Sequence, residues 1–317
     1  MPAASTHSIL LKKENVHEDP IYSCKWAKTN TTGDSMGNLK DFIVTGGLDG
    51  LVKVWHFENN KLELMHTLQG HAMAVVSVAA SPDGHTIASA SQDSCLIIWD
   101  LLSGNKVHEI ETGATDVWSV AFSPDGTQVV SGSHTGKIFI YGIQKGTADR
   151  MLDSRGKFAM SIAWSPDNKY IVSGAVDGTV CIFDVAQAKL LHTIEAHTHS
   201  VRSVAFSPNS QLIVTASEDG KVKIYNVASA SLQSTLNHKT WVFSALFSPD
   251  GSRVAAAAAD GTVQIASVDK LKVLHTFQEH TAAVCSLQFN TTGDKLISVS
   301  KDKSLILYEC PLPVKKK

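Results

Sequence analysis

The sequence predicts an all-β chain in which one four-stranded unit is written seven times. Three observations predict it. A serine inside an apolar strand recurs at Ser23, Ser77, Ser119, Ser161, Ser203, Ser244 and Ser286, at steps of 54, 42, 42, 42, 41 and 42 residues. A turn position recurs at Asp49, Asp93, Thr135, Asp177, Asp219, Asp260 and Asp302, at steps of 44, 42, 42, 42, 41 and 42 residues. The two markers keep one register. No segment carries a sustained 3.6-residue period, which excludes a helical repeat.

Within each unit, a strand like Ser-Val-Ala-Phe ends in a Ser-Pro-Asp-Gly turn. A strand like Ile-Val-Ser-Gly follows and ends in Asp-Gly, then one like Val-Lys-Ile-Trp, then an outer strand such as KLLHTI. Alternating β-branched residues bounded by Pro, Asp and Gly are strand-and-turn chemistry. The units are expected at 17–68, 71–110, 113–152, 155–194, 197–236, 238–277 and 280–310. The segment SILLKKENVH (8–17), which holds most of a strand expected at about 6–15, resembles KVLHTFQEH ahead of the seventh unit. It therefore reads as an outer strand without a unit of its own, expected to pair with the last unit, Ser286 to Cys310, and close the chain on itself. Residues 27–40 (AKTNTTGDSMGNLK) are polar and contain glycine, so they read as a surface loop that lengthens the first step.

Composition bounds the function. With 43% apolar and 18% charged residues in 317, the chain can bury a large core. A net charge of −2 and four scattered arginines (Arg150, Arg155, Arg202, Arg253) argue against a nucleic-acid face. Five cysteines far apart, with no C-x-x-C pair, suit a reducing compartment. MPAASTHS holds no apolar signal core, and no apolar run approaches the ~18 residues of a membrane span. The expected location is nucleus and cytoplasm, without membrane contact. No metal, cofactor or small-molecule substrate is expected: the histidines lack ligand spacing and no Gly-rich phosphate loop occurs. The tail PLPVKKK reads as a solvated terminus.

Gly70-His71, Trp99-Asp100 and the period near 42 residues resemble the WD-repeat family over almost all of the chain. That resemblance implies a seven-bladed β-propeller closed by an N-terminal strand on the last blade. It also implies buried structural tetrads: His17, Thr45, Asp49 and Trp55 in blade one, and His71, Ser89, Asp93 and Trp99 in blade two. Ser, His and Asp together invite a hydrolase reading. Against it, no G-x-S-x-G elbow is present, and an active site is not normally built repeatedly. Blades five and seven keep His197, Thr215, Asp219 and His280, Ser298, Asp302 but place Tyr225 and Tyr308 at the Trp position. Blade three has Gly113 and Thr135, blade four Arg155 and Phe183, and blade six Ala256 and Ala266 at tetrad positions. Those three blades are expected to be held by packing and to be looser.

In propellers, binding falls where the loops entering the innermost strands meet the Asp turns. The residues expected there include Tyr22, Asp116, Trp118, Phe158, Met160, Arg202, Trp241 and Phe243, an aromatic, Met and Arg composition typical of interface hot spots. Asp116, Glu218 and Asp177 are expected to pair with a basic side chain of a partner, and Arg202 to receive a carboxylate or carbonyl.

Three stretches carry a narrower resemblance: GLDGLVKVWH (47–56), RGKFAMSIAWSPDNKYIVSGAVDGTVCIFDVA (155–186) and QLIVTASEDGKVKIY (211–225). They resemble WD-repeat subunits of superkiller complexes, which in animals are shared with the RNA polymerase II-associated factor complex. The resemblance implies a non-enzymatic scaffold whose partners are a tetratricopeptide protein and an RNA helicase complex in mRNA decay, and elongation-complex subunits in the nucleus. Alternatives are a histone-tail or methyl-lysine reader, with Trp118, Asp116, Phe158, Trp241 and Phe243 as an aromatic cage, and a ubiquitin-ligase substrate receptor. The receptor's Trp-Asp-x-Arg signature is missing, because Trp99-Asp100 is followed by Leu101 and Leu102.

Overall fold

A computed structural model describes residues 6–30, 39–112 and 117–312. Its described elements are all β-strands, arranged as seven four-stranded antiparallel blades. Six blades take their strands in chain order, as blade two does with Val75–Ala80, Thr86–Ser91, Cys95–Asp100 and Lys106–Glu111. The seventh joins Val284–Phe289, Lys295–Ser300 and Leu305–Glu309 to the N-terminal strand Ser8–Lys13, paired from Ser8 opposite Glu309 to Lys13 opposite Leu305. The innermost strands follow one another around a central channel, and Val284–Phe289 lies against the first of them, Ile21–Asn30.

Blades meet through apolar side chains. Val44 and Val54 of blade one, for instance, share a fully buried cluster with Val75, Val78 and Ile97 of blade two, each such burial being worth roughly 1.5–3 kcal/mol. The marker serines add a polar ring. Ser23 Oγ accepts the Val78 N–H at 3.1 Å, Ser77 that of Val120 at 3.2 Å, and Ser119 that of Ile162 at 3.1 Å. Ser286 accepts the Cys24 N–H at 3.3 Å and so links the last blade to the first. The residue that marks the repeat is thus a side chain that stitches neighbouring innermost strands.

The turns explain the other recurring residues. Ser123 Oγ donates to Asp125 Oδ1 at 2.6 Å and accepts the Gln128 N–H at 3.0 Å, tying the Ser-Pro-Asp-Gly turn at both ends. In the Asp-Gly turns the glycine is compulsory where space runs out: at Gly178, with φ of +87°, a Cβ would lie 2.0 Å from the His197 carbonyl oxygen.

One sequence expectation is corrected. Residues 27–30 and 39–40 are not loop: Ala27 pairs with Phe42 and Asn30 with Leu39, extending the first hairpin. Ala27 and Thr29 are buried there, and Thr29 Oγ1 meets the His85 ring at 3.2 Å. Polar composition concealed an alternation of one buried and one outward residue.

At the opposite end from those Asp turns, Arg253 of blade six is 2% exposed. Its guanidinium donates to the carbonyls of Cys310 at 3.1 Å, Pro311 at 3.0 Å and Gly293 at 2.7 Å, and lies over the Phe289 ring. A buried arginine thus clasps the last strand of blade seven.

Candidate functional site

The Ser-His-Asp groups are assembled but closed. In blade two, His71 Nδ1 lies 3.1 Å from Asp93 Oδ2 and Nε2 lies 2.7 Å from Ser89 Oγ, which also accepts the Trp99 indole N–H at 2.8 Å. A carboxylate only accepts, so Nδ1 carries the proton and Nε2 accepts from Ser89. Burial lowers the His71 pKa, against the pull of Asp93, and keeps the ring neutral. Burial by itself would raise the Asp93 pKa, but the Ala72 and Cys95 N–H groups and His71 outweigh it and hold the carboxyl below its usual range. In blade one, His17 contacts Asp49 at 2.9 Å and Thr45 at 2.8 Å, and Trp55 donates to Thr45 at 3.1 Å. Ser89 and Thr45 are fully buried, so no substrate reaches either hydroxyl.

The departures sort differently. In blade seven the Tyr308 hydroxyl meets Ser298 Oγ at 3.1 Å and completes the set with His280 and Asp302. In blade five His197, Thr215 and Asp219 join, but Tyr225 donates instead to the Ala196 carbonyl at 3.1 Å. Blade four pairs Asp177 with Lys157, and in blade six His238 Nε2 is buried without a partner among the described residues. Gly113 of blade three lies outside the described residues.

The top of the channel is shaped by one backbone device. Each of the seven innermost strands slips register just before its marker serine: between Ile21 and Ser23, Val117 and Ser119, Ala159 and Ser161, Val201 and Ser203, Val242 and Ser244, and likewise in blades two and seven. The extra residue at each bulge is Tyr22, Trp118, Met160, Arg202 or Phe243, with Val76 and Cys285 in the other two. A bulge re-aims its side chain, and all seven line the mouth of a cavity of about 920 Å³ running down the channel.

Ring contacts divide the aromatic residues into two groups. Trp118 meets Phe158 edge-on at 5.6 Å, and His134 meets Phe158 at 6.3 Å. The Trp118 indole N–H is buried without a hydrogen-bond partner among the described residues. Across the mouth, Trp241 packs edge-on against Phe243 at 6.4 Å, with the Arg202 guanidinium 5.7 Å and the Lys301 ammonium 5.6 Å from the Phe243 ring centre. Lys301 also stands 6.0 Å from the Tyr22 ring. Met160 lines the channel mouth. Asp116 lies outside the described residues. The four described residues of the expected cage therefore do not form one cage, and two cations already cover Phe243.

Residues expected to meet a partner's charges are engaged within the chain. Glu218 was expected to meet a partner's base and Arg202 a partner's acid. They pair with each other instead, Arg202 Nε donating to Glu218 Oε1 at 2.7 Å. Asp177 is similarly engaged by Lys157. His134, Glu218 and Lys301 each stand one residue before the turn position, and the ring contacts and ion pair that give them a role are visible only in three dimensions. Leu48 and Val176, at the same turn position, are 41% and 39% exposed, and Trp241 is 53% exposed. The rim is apolar and open. Among the described residues no group of His, Cys, Asp or Glu is arranged to hold a metal, and no helix is long and apolar enough to cross a membrane.

Comparison with known proteins gives the family. Residues 40–309 match the model described as IFT122 first beta-propeller, and residues 9–56 match that of the WD domain, G-beta repeat. The chain is 32% identical over 92 residues to WD repeat-containing protein SL1-17 of Schistosoma mansoni, covering 29% of each chain. It is 41% identical over 71 residues to small ribosomal subunit protein RACK1y of Oryza sativa subsp. japonica, covering 22% of this chain and 20% of the relative. It is 33% identical over 88 residues to WD repeat-containing protein VIP3 of Arabidopsis thaliana, covering 28% and 25%. The matched segments span less than a third of these curated relatives. The repeat, the blades and the match over residues 40–309 agree: the chain belongs to the WD-repeat β-propeller family, whose members generally bind other proteins.

Proposed function

We propose that this chain is a non-enzymatic docking subunit that captures an extended segment of a partner protein across the top of the ring. The observation that carries this reading is Trp241, 53% exposed beside Phe243 at a rim of bulge-presented side chains. Exposed aromatic anchors flanked by cations have the composition of an interface hot spot. The two ring groups, on either side of the channel mouth, offer two anchor points for one extended segment.

The narrower proposal is a subunit of a superkiller-type complex and of the polymerase-associated factor complex. Residues 47–56, 155–186 and 211–225 support it by their resemblance to such subunits. The partners would be a tetratricopeptide scaffold and an RNA helicase complex in cytoplasmic mRNA decay, and elongation-complex subunits in the nucleus. Direct contact with nucleic acid, membrane or a small substrate has no place in this reading.

Trp241→Ala combined with Phe243→Ala tests the face. Loss of the two anchors, together worth about 2 kcal/mol or more because neighbouring hot-spot losses do not add, weakens capture at least ~30-fold, while circular dichroism and Tm stay close to wild type. Tagged purification from cells followed by mass spectrometry reads both capture and partner identity. Undiminished co-purification with the double variant rejects the face, and absence of helicase, tetratricopeptide and elongation subunits rejects the narrower proposal.

A further inference from the structure

Below its mouth the channel holds one charge that no described residue balances. Two residues past the marker serine, about 7 Å further along each innermost strand, the wall is Ala79, Ala121, Ala163, Ala205 and Leu246 on five blades. On the adjoining strands of blades one and seven it is Lys25 and Gln288. Lys25 Nζ donates to Gln288 Oε1 at 3.2 Å. Among the described residues no carboxylate forms an ion pair with it. Its titratable neighbour, Cys24, is pushed by burial up to about 12 and so remains a neutral thiol. Burial correspondingly pulls the Lys25 ammonium below its ordinary range.

An ammonium on an apolar wall is costly unless an opposite charge or full hydrogen bonding compensates it. One of its three N–H groups is spent on Gln288. Because Gln288 uses its oxygen to accept from Lys25, its amide NH2 remains a donor. Two donors on adjacent strands, one cationic and one neutral, match the two oxygens of a carboxylate. The cavity has room for it, about 920 Å³ along the channel.

We propose that the channel binds a small organic carboxylate, one oxygen on the Lys25 ammonium and the other on the Gln288 amide N–H, with its carbon chain against the alanine wall. This site is separate from the rim, and its occupancy needs no protein partner. A docked segment above would close it from one side.

Thermal unfolding of the full chain at constant ionic strength tests the site, with butyrate and acetate as probes and chloride as the control. Wild type should show a saturable rise in Tm, about 2 °C once the acid reaches ten times its Kd, with butyrate acting at lower concentration than acetate because its chain covers the alanine wall. Lys25→Met should abolish the rise while leaving the protein in chloride at least as stable, because it removes an uncompensated charge. Gln288→Leu should weaken butyrate about tenfold in titration calorimetry, the loss of one hydrogen bond. A rise equal in chloride, a rise that persists in Lys25→Met, or no heat of butyrate binding to wild type would each overturn the proposal.

Discussion

Blade two and blade six share one architecture and hold it by different means. In blade two, Trp99, Ser89, His71 and Asp93 form an unbroken chain of hydrogen bonds from the third strand to the turn. Blade six keeps the histidine but has Ala256 where the serine stands and Ala266 where the tryptophan stands, and His238 Nε2 has no partner among the described residues. Its four strands, Val242–Phe247, Arg253–Ala258, Val263–Ser267 and Val273–Phe277, pair regardless. The tetrad is therefore not what makes a blade. Apolar packing does that, and the polar network adds rigidity at one end. Blade six has its buried polar anchor at the other end, where Arg253 reaches three carbonyls of blade seven and its C-terminal extension.

This contrast breaks or survives on a few substitutions. The largest effect is expected at Arg253→Met, which strips charge-assisted hydrogen bonds from three carbonyls, two of them deeply placed. About 4 kcal/mol of stability should be lost, read from urea unfolding, together with early fraying of the last strand in hydrogen exchange. A cost under ~1 kcal/mol would mean that blade six is packed only. His71→Leu comes next: it leaves Ser89 and Asp93 without their shared partner and should cost about 3 kcal/mol. His238→Leu, where one nitrogen is already unpaired, should cost less than about 1 kcal/mol or stabilise the blade. Equal costs at the two histidines would erase the distinction between the blades.

Much of this was legible in the chain because repetition exposes what each position does. The His-to-Ser interval of 18 residues is the same from His71 to Ser89, His197 to Thr215 and His280 to Ser298, so Ala256, 18 after His238, stands out as a loss. The residues ahead of each marker serine were readable as a ring, but the bulge that aims them was not, because a register slip leaves no side-chain signature. Nor were Arg202 with Glu218, or Lys25 with Gln288 some 263 positions away, visible as pairs. Arg253 looked like one of four scattered arginines, since nothing in its local sequence reports the carbonyls that fold around it. The hairpin extension at 27–30 and 39–42 was hidden by the opposite cause, a local composition that looks like loop and is overruled by pairing.

The smallest expected effect is one of pH. Burial makes both His71 and His238 less basic than the 6.5 of an unfolded chain; Asp93 opposes this in blade two by charge and hydrogen bond, Asp260 in blade six by charge alone. A histidine whose folded pKa is depressed takes up its proton first in the unfolded chain. The stability tied to the neutral ring is thus fully present above pH 6.5 and drains away as pH falls through the folded value. Replacing such a histidine removes that drain. His238→Leu, near wild type at about pH 8, should therefore become the more stable of the two as pH falls below 6.5. His71→Leu should regain part of its deficit over the same interval. Thermal melts of the three proteins across that range give the answer. A gap between wild type and His238→Leu that stays constant with pH would show that the blade-six histidine is solvated enough to titrate normally, and that blade six is open where its lost tetrad would have closed it.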